Sequence, residues 1–532
     1  MGMKRGFASD NFIFRERPLE LQKLKKLSLE SSHIKSPDRG TPWKTLAGIL
    51  VALIVFGLIF GVNIATVFVG TGIALVVVLH TAIRLSAIVT PFSKIPPKPF
   101  SGYTPFVSIH IACKDEPAEL VNATVAAITK LNYPAFEVIV INNNNEDVEN
   151  WQKIKLFTES CGDNYIFVHT DFMPGYKAGA LNYIATHNTS KDAEVVAIVD
   201  CDYIVTPDFL TMTVGYFKNP EVGIVQAPQS YYNVNSRNVG LSYEYRSFFA
   251  AVMHQAQRHN LVIFTGTMGL IRTELMRNGL KWNEWCITED AEAGVHILSK
   301  GYKGIYVDES LGKGLMPLDY ASLIKQRQRW TYGNMQVLKK DLFPVILNKA
   351  LSLKQKFAFL ALLVSWFHFE LLVAGTYLLI NMLRLVGLSN VLLTMSNIML
   401  ALLAVSLISN IVYFVIGLRK DATLSERLKA FLAHYGLLYV MSSSWVICLL
   451  GRKLGFIVTS KVKQGDRIPF SQYSHEFTII LVLLFGLGVA FLAGGTLWFD
   501  LMVIVPFVVI ETAGIMYLSR SFIEPDAETI DQ

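Results

Sequence analysis

Apolar residues run almost unbroken over bilayer lengths at six places in the chain: 46–65, 66–89, 359–383, 391–418, 477–496 and 498–518. A helix of about 20 such residues crosses a hydrocarbon core, so six spans are predicted. A seventh run, 431–450, is preceded by Arg427 and Lys429 and followed by Arg452 and Lys453. Cationic flanks stay cytosolic, which puts both of its ends on one side. His434, Ser442, Ser443 and Ser444 within it also suit an interfacial or re-entrant helix packed against other helices. A crossing there would export Lys461, Lys463 and Arg467.

Between 91 and 356 the pattern changes to that of an α/β domain, entered through the Pro-rich stretch 95–99. Runs at 106–111, 136–141, 165–169 and 195–199 predict strands, and helical patterns such as 118–130 lie between them. Such alternation implies a largely parallel sheet with crossover helices, and ligands at the carboxyl ends of its strands. The expected organisation is a basic cytosolic tail (1–44), two spans (45–90), the cytosolic α/β domain with an interfacial helix (91–356), two spans (357–418), an interfacial helix with a loop (419–475), two spans (476–518) and a cytosolic tail (519–532).

Composition agrees with two kinds of region. Of 532 residues, 52% are hydrophobic and 17% charged, and the mean hydropathy is +0.38. That is too apolar for a soluble protein and too charged for a pure transporter. Five scattered cysteines make no CxxC pair and indicate neither a disulfide framework nor a zinc site. Ten Lys or Arg fall in the first 44 residues, which reads as a tail held by the positive-inside rule and drawn to anionic lipid, not as a nucleic-acid surface. The first apolar run lacks a cleavage site, so no signal peptide is expected.

Three short patterns carry chemistry. Asp200-Cys201-Asp202 follows a predicted buried strand. Two carboxylates there can hold a hard cation, Mg²⁺ or Mn²⁺, which neutralises a departing diphosphate. Thr288-Glu289-Asp290 opens a helical pattern. By itself it reads first as a cap with acids in the first turn; a carboxylate held there is also placed to act as general base. Gln326, Arg329 and Trp330 form QxxRW in an amphipathic segment. That segment suits a membrane interface, while Arg and Gln one turn apart can bind diphosphate oxygens and the Trp can face a sugar ring.

In this order, between two groups of spans, DxD, TED and QxxRW resemble the processive membrane-bound family 2 glycosyltransferases, such as cellulose and curdlan synthases. Smaller matches agree. The segment 111–117 (IACKDEP) resembles the family's first-strand end, which includes Asp115. GYKAGALN at 175–182 is similar to the segment whose Lys, here Lys177, approaches the nucleotide. Phe264, Gly266 and Thr267 resemble the turn beneath the acceptor, with 226–229 (QAPQ) before it. Where the family carries an Asp after its second strand, this chain has Asn142 and Asn143, whose amides can replace part of a uracil contact.

The resemblance implies a GT-A-type, Rossmann-like catalytic domain set in a polytopic α-helical membrane domain of the plasma (inner) membrane. It implies Asp200 toward the ribose and metal, Asp202 as metal ligand, Asp290 as base, and Gln326, Arg329 and Trp330 on the diphosphate and the acceptor end. A UDP-sugar donor, most simply UDP-glucose, and inversion to a β-linkage follow, with a growing glycan as acceptor. Phe456, Val458 and Thr459 resemble the FxVTxK loop that covers the donor. His368, Glu370, Asn381, Asn397 and Asn410 put polar groups inside apolar helices, where glycan hydroxyls or neighbouring helices would meet them. A one-step transferase using a lipid acceptor, or a transporter with a nucleotide-sensing domain, are the alternatives.

Overall fold

A computed structural model describes residues 61–89, 99–349, 351–387, 390–454, 473–494 and 497–522. The basic tail, the first predicted span up to residue 60 and the 456–461 segment lie outside the described residues.

The α/β domain is built on a seven-stranded sheet of order β3-β2-β1-β4-β7-β6-β8. Its first four strands are β1 (Val107–Cys113), β2 (Phe136–Asn143), β3 (Tyr165–Thr170) and β4 (Val195–Ile198), all parallel. They match the expected runs to within two residues, because each is a largely apolar stretch, buried on both faces in β1, β2 and β4 and half-buried in the edge strand β3. The sheet is largely parallel, as expected, with one strand reversed. β7 (Gly269–Arg272) runs antiparallel to β4 and to β6 (Val222–Gln226), and β8 (Lys303–Tyr306) then pairs parallel with β6. A short ribbon of β5 (Ile204–Val205) and β9 (Gly312–Lys313) lies beside it.

Side chains alternate across the sheet. Ile109, Ile111, Val138 and Val140 enter one core with helix α2 (Ala118–Ile128). Helix α2 presents Ala118, Val121, Val125 and Ile128 at helical spacing. Ile139, Ile141, Val196 and Ile198 enter another core that continues through Phe249 and Leu362 into the apolar helices. Each fully buried aliphatic side chain contributes about 1.5–3 kcal/mol, so this second core joins the domain firmly to those helices.

Four helices among the described residues are long and apolar enough to cross a membrane. They lie within α1 (Val62–Val89), α10 (Asn390–Gly417), α13 (Thr478–Leu492) with the turn before it, and α14 (Leu497–Ser521). Large apolar side chains such as Phe68, Leu75, Phe485 and Met502 are exposed on them, a surface suited to lipid and not to water. The run 431–450 becomes α11 (Leu424–Tyr435) and α12 (Leu438–Leu449), bent by 42°.

One expectation is corrected. The predicted span 359–383 is not one helix but α8 (Leu353–Val364) and α9 (Glu370–Leu385). Its chain turns where buried His368 bonds Arg84 at 3.1 Å and Glu370 at 3.1 Å. Of the polar groups placed inside apolar helices, Glu370 and Asn381 meet a neighbouring helix, one of the two partners expected for them. Ser406 donates to Glu370 at 2.6 Å, and Asn381 donates to Ser396 at 3.0 Å.

Candidate active site

The carboxyl edge of the sheet opens into one cavity of about 290 Å³. Several elements contribute to its wall, each through residues just beyond a strand or at the start of a helix. Lys114 and Glu116 follow β1, and Asn143 ends β2. Lys177 lies in the first turn of α4 (Tyr176–His187). That helix starts from Gly175 at φ +79°, and a side chain at Gly179 would strike the Pro174 carbonyl at 1.8 Å, so the glycines of GYKAG allow the turn that aims Lys177 inward.

Asp200 and Asp202 follow β4 and both line the cavity. Thr267 does not line it; its Oγ1 accepts from the Asp200 backbone N–H at 3.0 Å and so fixes where the acidic turn begins. Buried Gln226 holds the 264–267 turn from beneath, accepting from Thr265 N–H at 3.0 Å and donating to the Thr267 carbonyl at 2.8 Å. Phe264 and Gly266 face the cavity from that turn.

Thr288, Glu289 and Asp290 stand at the start of α6 (Glu289–Ser299). Thr288 makes no side-chain cap. Asp290 accepts from the Ala291 N–H at 2.8 Å. Helix α7 (Tyr320–Leu347) brings in Gln326, Arg329 and Trp330. It is capped by Asp319, which accepts from Ser322 N–H at 2.7 Å, and Tyr245 donates to Gln326 Oε1. Leu362 and Trp366, at the foot of α8, complete the wall.

The charges at this edge are coupled. Lys177 pairs with Asp200 and donates to the Gly266 carbonyl at 2.9 Å. Burial works to lower the Lys177 pKa, but Asp200, with Glu289 and Asp290, holds it above its ordinary value. Burial raises the Glu289 carboxyl to about 7, and the Asp290 charge adds to the rise. Burial also raises Asp290, against the pull of the Ala291 N–H and Lys177. A carboxylate poised in this way accepts a proton more readily than one in water.

Among the described residues no three His, Cys, Asp or Glu side chains cluster as a metal cage. The donor set of Asp200 and Asp202 still fits Mg²⁺ or Mn²⁺, because such ions keep to one or two carboxylates where substrate phosphates complete the shell.

Three expected contact residues lie off the wall. Asn142 is fully buried and its amide is already used: it donates to the Lys114 carbonyl at 2.9 Å, and its Oδ1 faces His169 Nδ1 at 3.2 Å. Asn143 lines the cavity in its place. Asp115 points outward beside Lys114, and Thr267 acts from below as described. Phe456, Val458 and Thr459 lie outside the described residues. Tyr245, Asn334 and Trp366 line the cavity unannounced by any motif; the signal for Tyr245 and Trp366 was aromatic residues beside polar ones in otherwise apolar stretches.

The sequence profile described as Glycosyltransferase like family 2 matches residues 105–333, the segment that supplies every wall residue except Asn334, Leu362 and Trp366. Residues 105–333 thus resemble a family 2 glycosyltransferase domain. The matched segment is an α/β mixed-sheet unit, followed by a helical region with apolar helices. The chain is 28% identical over 287 residues to glucomannan 4-beta-mannosyltransferase 7 of Arabidopsis thaliana, covering 52% of this chain and 50% of that protein. It is 28% identical over 261 residues to probable glucomannan 4-beta-mannosyltransferase 9 of Oryza sativa subsp. japonica, covering 47% and 49%. The chain thus spans about half the length of the curated relatives it matches. The solved mannosyltransferase PcManGT from Pyrobaculum calidifontis, in complex with GDP-Man and Mn2+, aligns with a TM-score of 0.47 at 16% identity, over 74% of this chain and 99% of that one.

Proposed function

We propose that the protein is an inverting, processive membrane glycosyltransferase that builds a β-linked hexose polymer from a nucleotide-diphosphate sugar. One observation carries the reading: the acidic turn, the Asp290 carboxylate and the QxxRW helix line a single cavity that reaches Leu362 and Trp366 at the foot of the apolar helices. A donor bound along the strand ends would set its diphosphate by Asp200, Asp202 and Arg329. Asp290 takes the proton of the acceptor hydroxyl as its oxygen attacks the anomeric carbon. In that same displacement the bond to the diphosphate oxygen breaks, so an α-linked donor yields a β-linkage. A divalent ion bound by Asp200 and Asp202 would supply Lewis-acid neutralisation of the leaving diphosphate.

The donor hexose is glucose or mannose. UDP-glucose follows from the resemblance to β-glucan synthases, and the names of the matched plant relatives support a mannosyl donor. Exposed apolar helices favour a site at a membrane, and the cationic flanks of the apolar runs favour the cytosolic face of the plasma membrane. Aromatic rings at the inner end of the cavity favour a sugar acceptor, since flat rings stack on pyranose faces.

Membranes containing the protein, supplied with labelled UDP-glucose or GDP-mannose and Mg²⁺ or Mn²⁺, test the reading. A high-molecular-weight product cut by a β-glucanase or β-mannanase is expected. A labelled lipid of low mass as the sole product would exclude processive synthesis.

A further inference from the structure

We infer that Arg327 is a positioning residue: its buried guanidinium sets the aromatic wall of the acceptor side and ties that wall to the apolar helices. The inference rests on the function proposed above. Arg327 lies inside QxxRW yet does not line the cavity, and its side chain is fully buried. Its guanidinium carbon lies 4.1 Å from the ring centre of Tyr245, 4.7 Å from that of Trp330 and 4.9 Å from that of Trp366. All three rings line the cavity. They also touch one another, with centroids 5.7 Å apart for Tyr245 and Trp330 and 4.9 Å apart for Trp330 and Trp366. A planar cation over three rings fixes their relative orientation in a way no point charge can.

A cation buried without a counter-charge would be costly, and Glu244 supplies one: it pairs with Arg327 and is itself buried on α5 (Val239–Ser247). The pair continues into the helices. His434 of α11 meets the other Glu244 oxygen through Nδ1 at 3.1 Å. Arg84 of α1 reaches His434 Nε2 at 3.3 Å and His368 Nε2 at 3.1 Å. His368 Nδ1 meets Glu370 at 3.1 Å.

Arginine can only donate, so both imidazoles accept at Nε2 and carry their proton on Nδ1, where each donates to a carboxylate. Two arginines, two carboxylates and two neutral histidines then form one continuous chain of hydrogen bonds with no net charge. It links α1, α9 and α11 to the wall at Trp330. Among the described residues Arg327 Nε and Nη1 find no hydrogen-bond acceptor, so its guanidinium is held by the Glu244 pair and by the three ring faces.

The test compares the parent with Arg327→Lys, which keeps the charge for Glu244 but loses the planar face, and with Arg327→Met. Donor hydrolysis by water, transfer to acceptor, acceptor KM and tryptophan emission are measured on detergent-purified protein. The expected result for Arg327→Lys is a tenfold or greater loss of transfer with a raised acceptor KM. Donor hydrolysis should stay within about twofold of the parent, and tryptophan emission should shift to the red as the rings loosen. Transfer like the parent's, or equal losses in hydrolysis and transfer with unchanged emission, would overturn the inference. Should Arg327→Met fail to fold, Arg327→Lys alone decides. A parent that turns over no activated sugar refutes the glycosyltransferase reading instead, and the emission shift still decides whether Arg327 holds the rings.

Discussion

At the scale of single residues, the acidic side chains of the α6 turn are held where burial and mutual charge oppose ionisation. Folded Glu289 keeps its proton up to about pH 7, against an ordinary value of 4.5. Between those two values the unfolded chain has released a proton that the folded chain retains. Stability from this group is therefore full below pH 4.5, declines as pH rises toward 7 and stays low above. Glu289→Gln should flatten that part of a plot of thermal midpoint against pH; an unaltered profile would show that the group titrates normally. Gly266 makes a second case. It holds φ +85°, and a Cβ there would stand 2.7 Å from Asp290 Oδ2. Gly266→Ala should displace Asp290, the proposed base, and lower the rate of transfer by about 10²-fold, with nucleotide affinity retained, as kinetics and equilibrium binding would show.

At the scale of elements, the crossing of α7 over the α6 turn brings the two halves of the site together. Gly333 makes the crossing close: a Cβ would lie 2.5 Å from both Cγ2 and Oγ1 of Thr288. Gly333→Ala should cost about 1–3 kcal/mol and slow transfer. Adding Thr288→Ser, which removes Cγ2, should recover part of the stability. Additive losses in denaturant unfolding of the double variant would mean that the two side chains do not meet. Much of this level was legible beforehand. Strands β1 to β4 are continuous apolar runs, and the residues at their ends follow from the rule that parallel sheets bind ligands there. The break between α8 and α9 was hidden, because its cause is a contact from His368 to Arg84, 284 residues away in the chain. The reversed sense of β7 was hidden for the same reason: the 226–268 stretch looks alike for either direction of pairing. Asn142 could be located at a strand end but not seen to be enclosed, since Lys114 and His169 reach it from neighbouring strands' ends.

At the scale of the whole molecule, catalytic domain and apolar helices share one core and one polar chain. Arg246 adds a further tie, bonding Asp308 of the domain at 2.8 Å and Asp421, between α10 and α11, at 2.8 Å. Such joints suit the proposed processive enzyme, whose acceptor would stay aligned with helices in the bilayer while sugars are added at the sheet edge. The overall plan was readable from the alternation of apolar runs with an α/β pattern, whereas the joints depend on tertiary contacts that no local pattern records. Asp290 stands at the centre of this arrangement. The most direct test is turnover of UDP-glucose and GDP-mannose with Mg²⁺ or Mn²⁺ by purified parent and Asp290→Asn protein, with the anomeric configuration of the product read by NMR. A β-linked hexose product from the parent, reduced at least about 10²-fold by the substitution, is the predicted result; a parent inactive on both donors, or an Asp290→Asn variant as active as the parent, would contradict it.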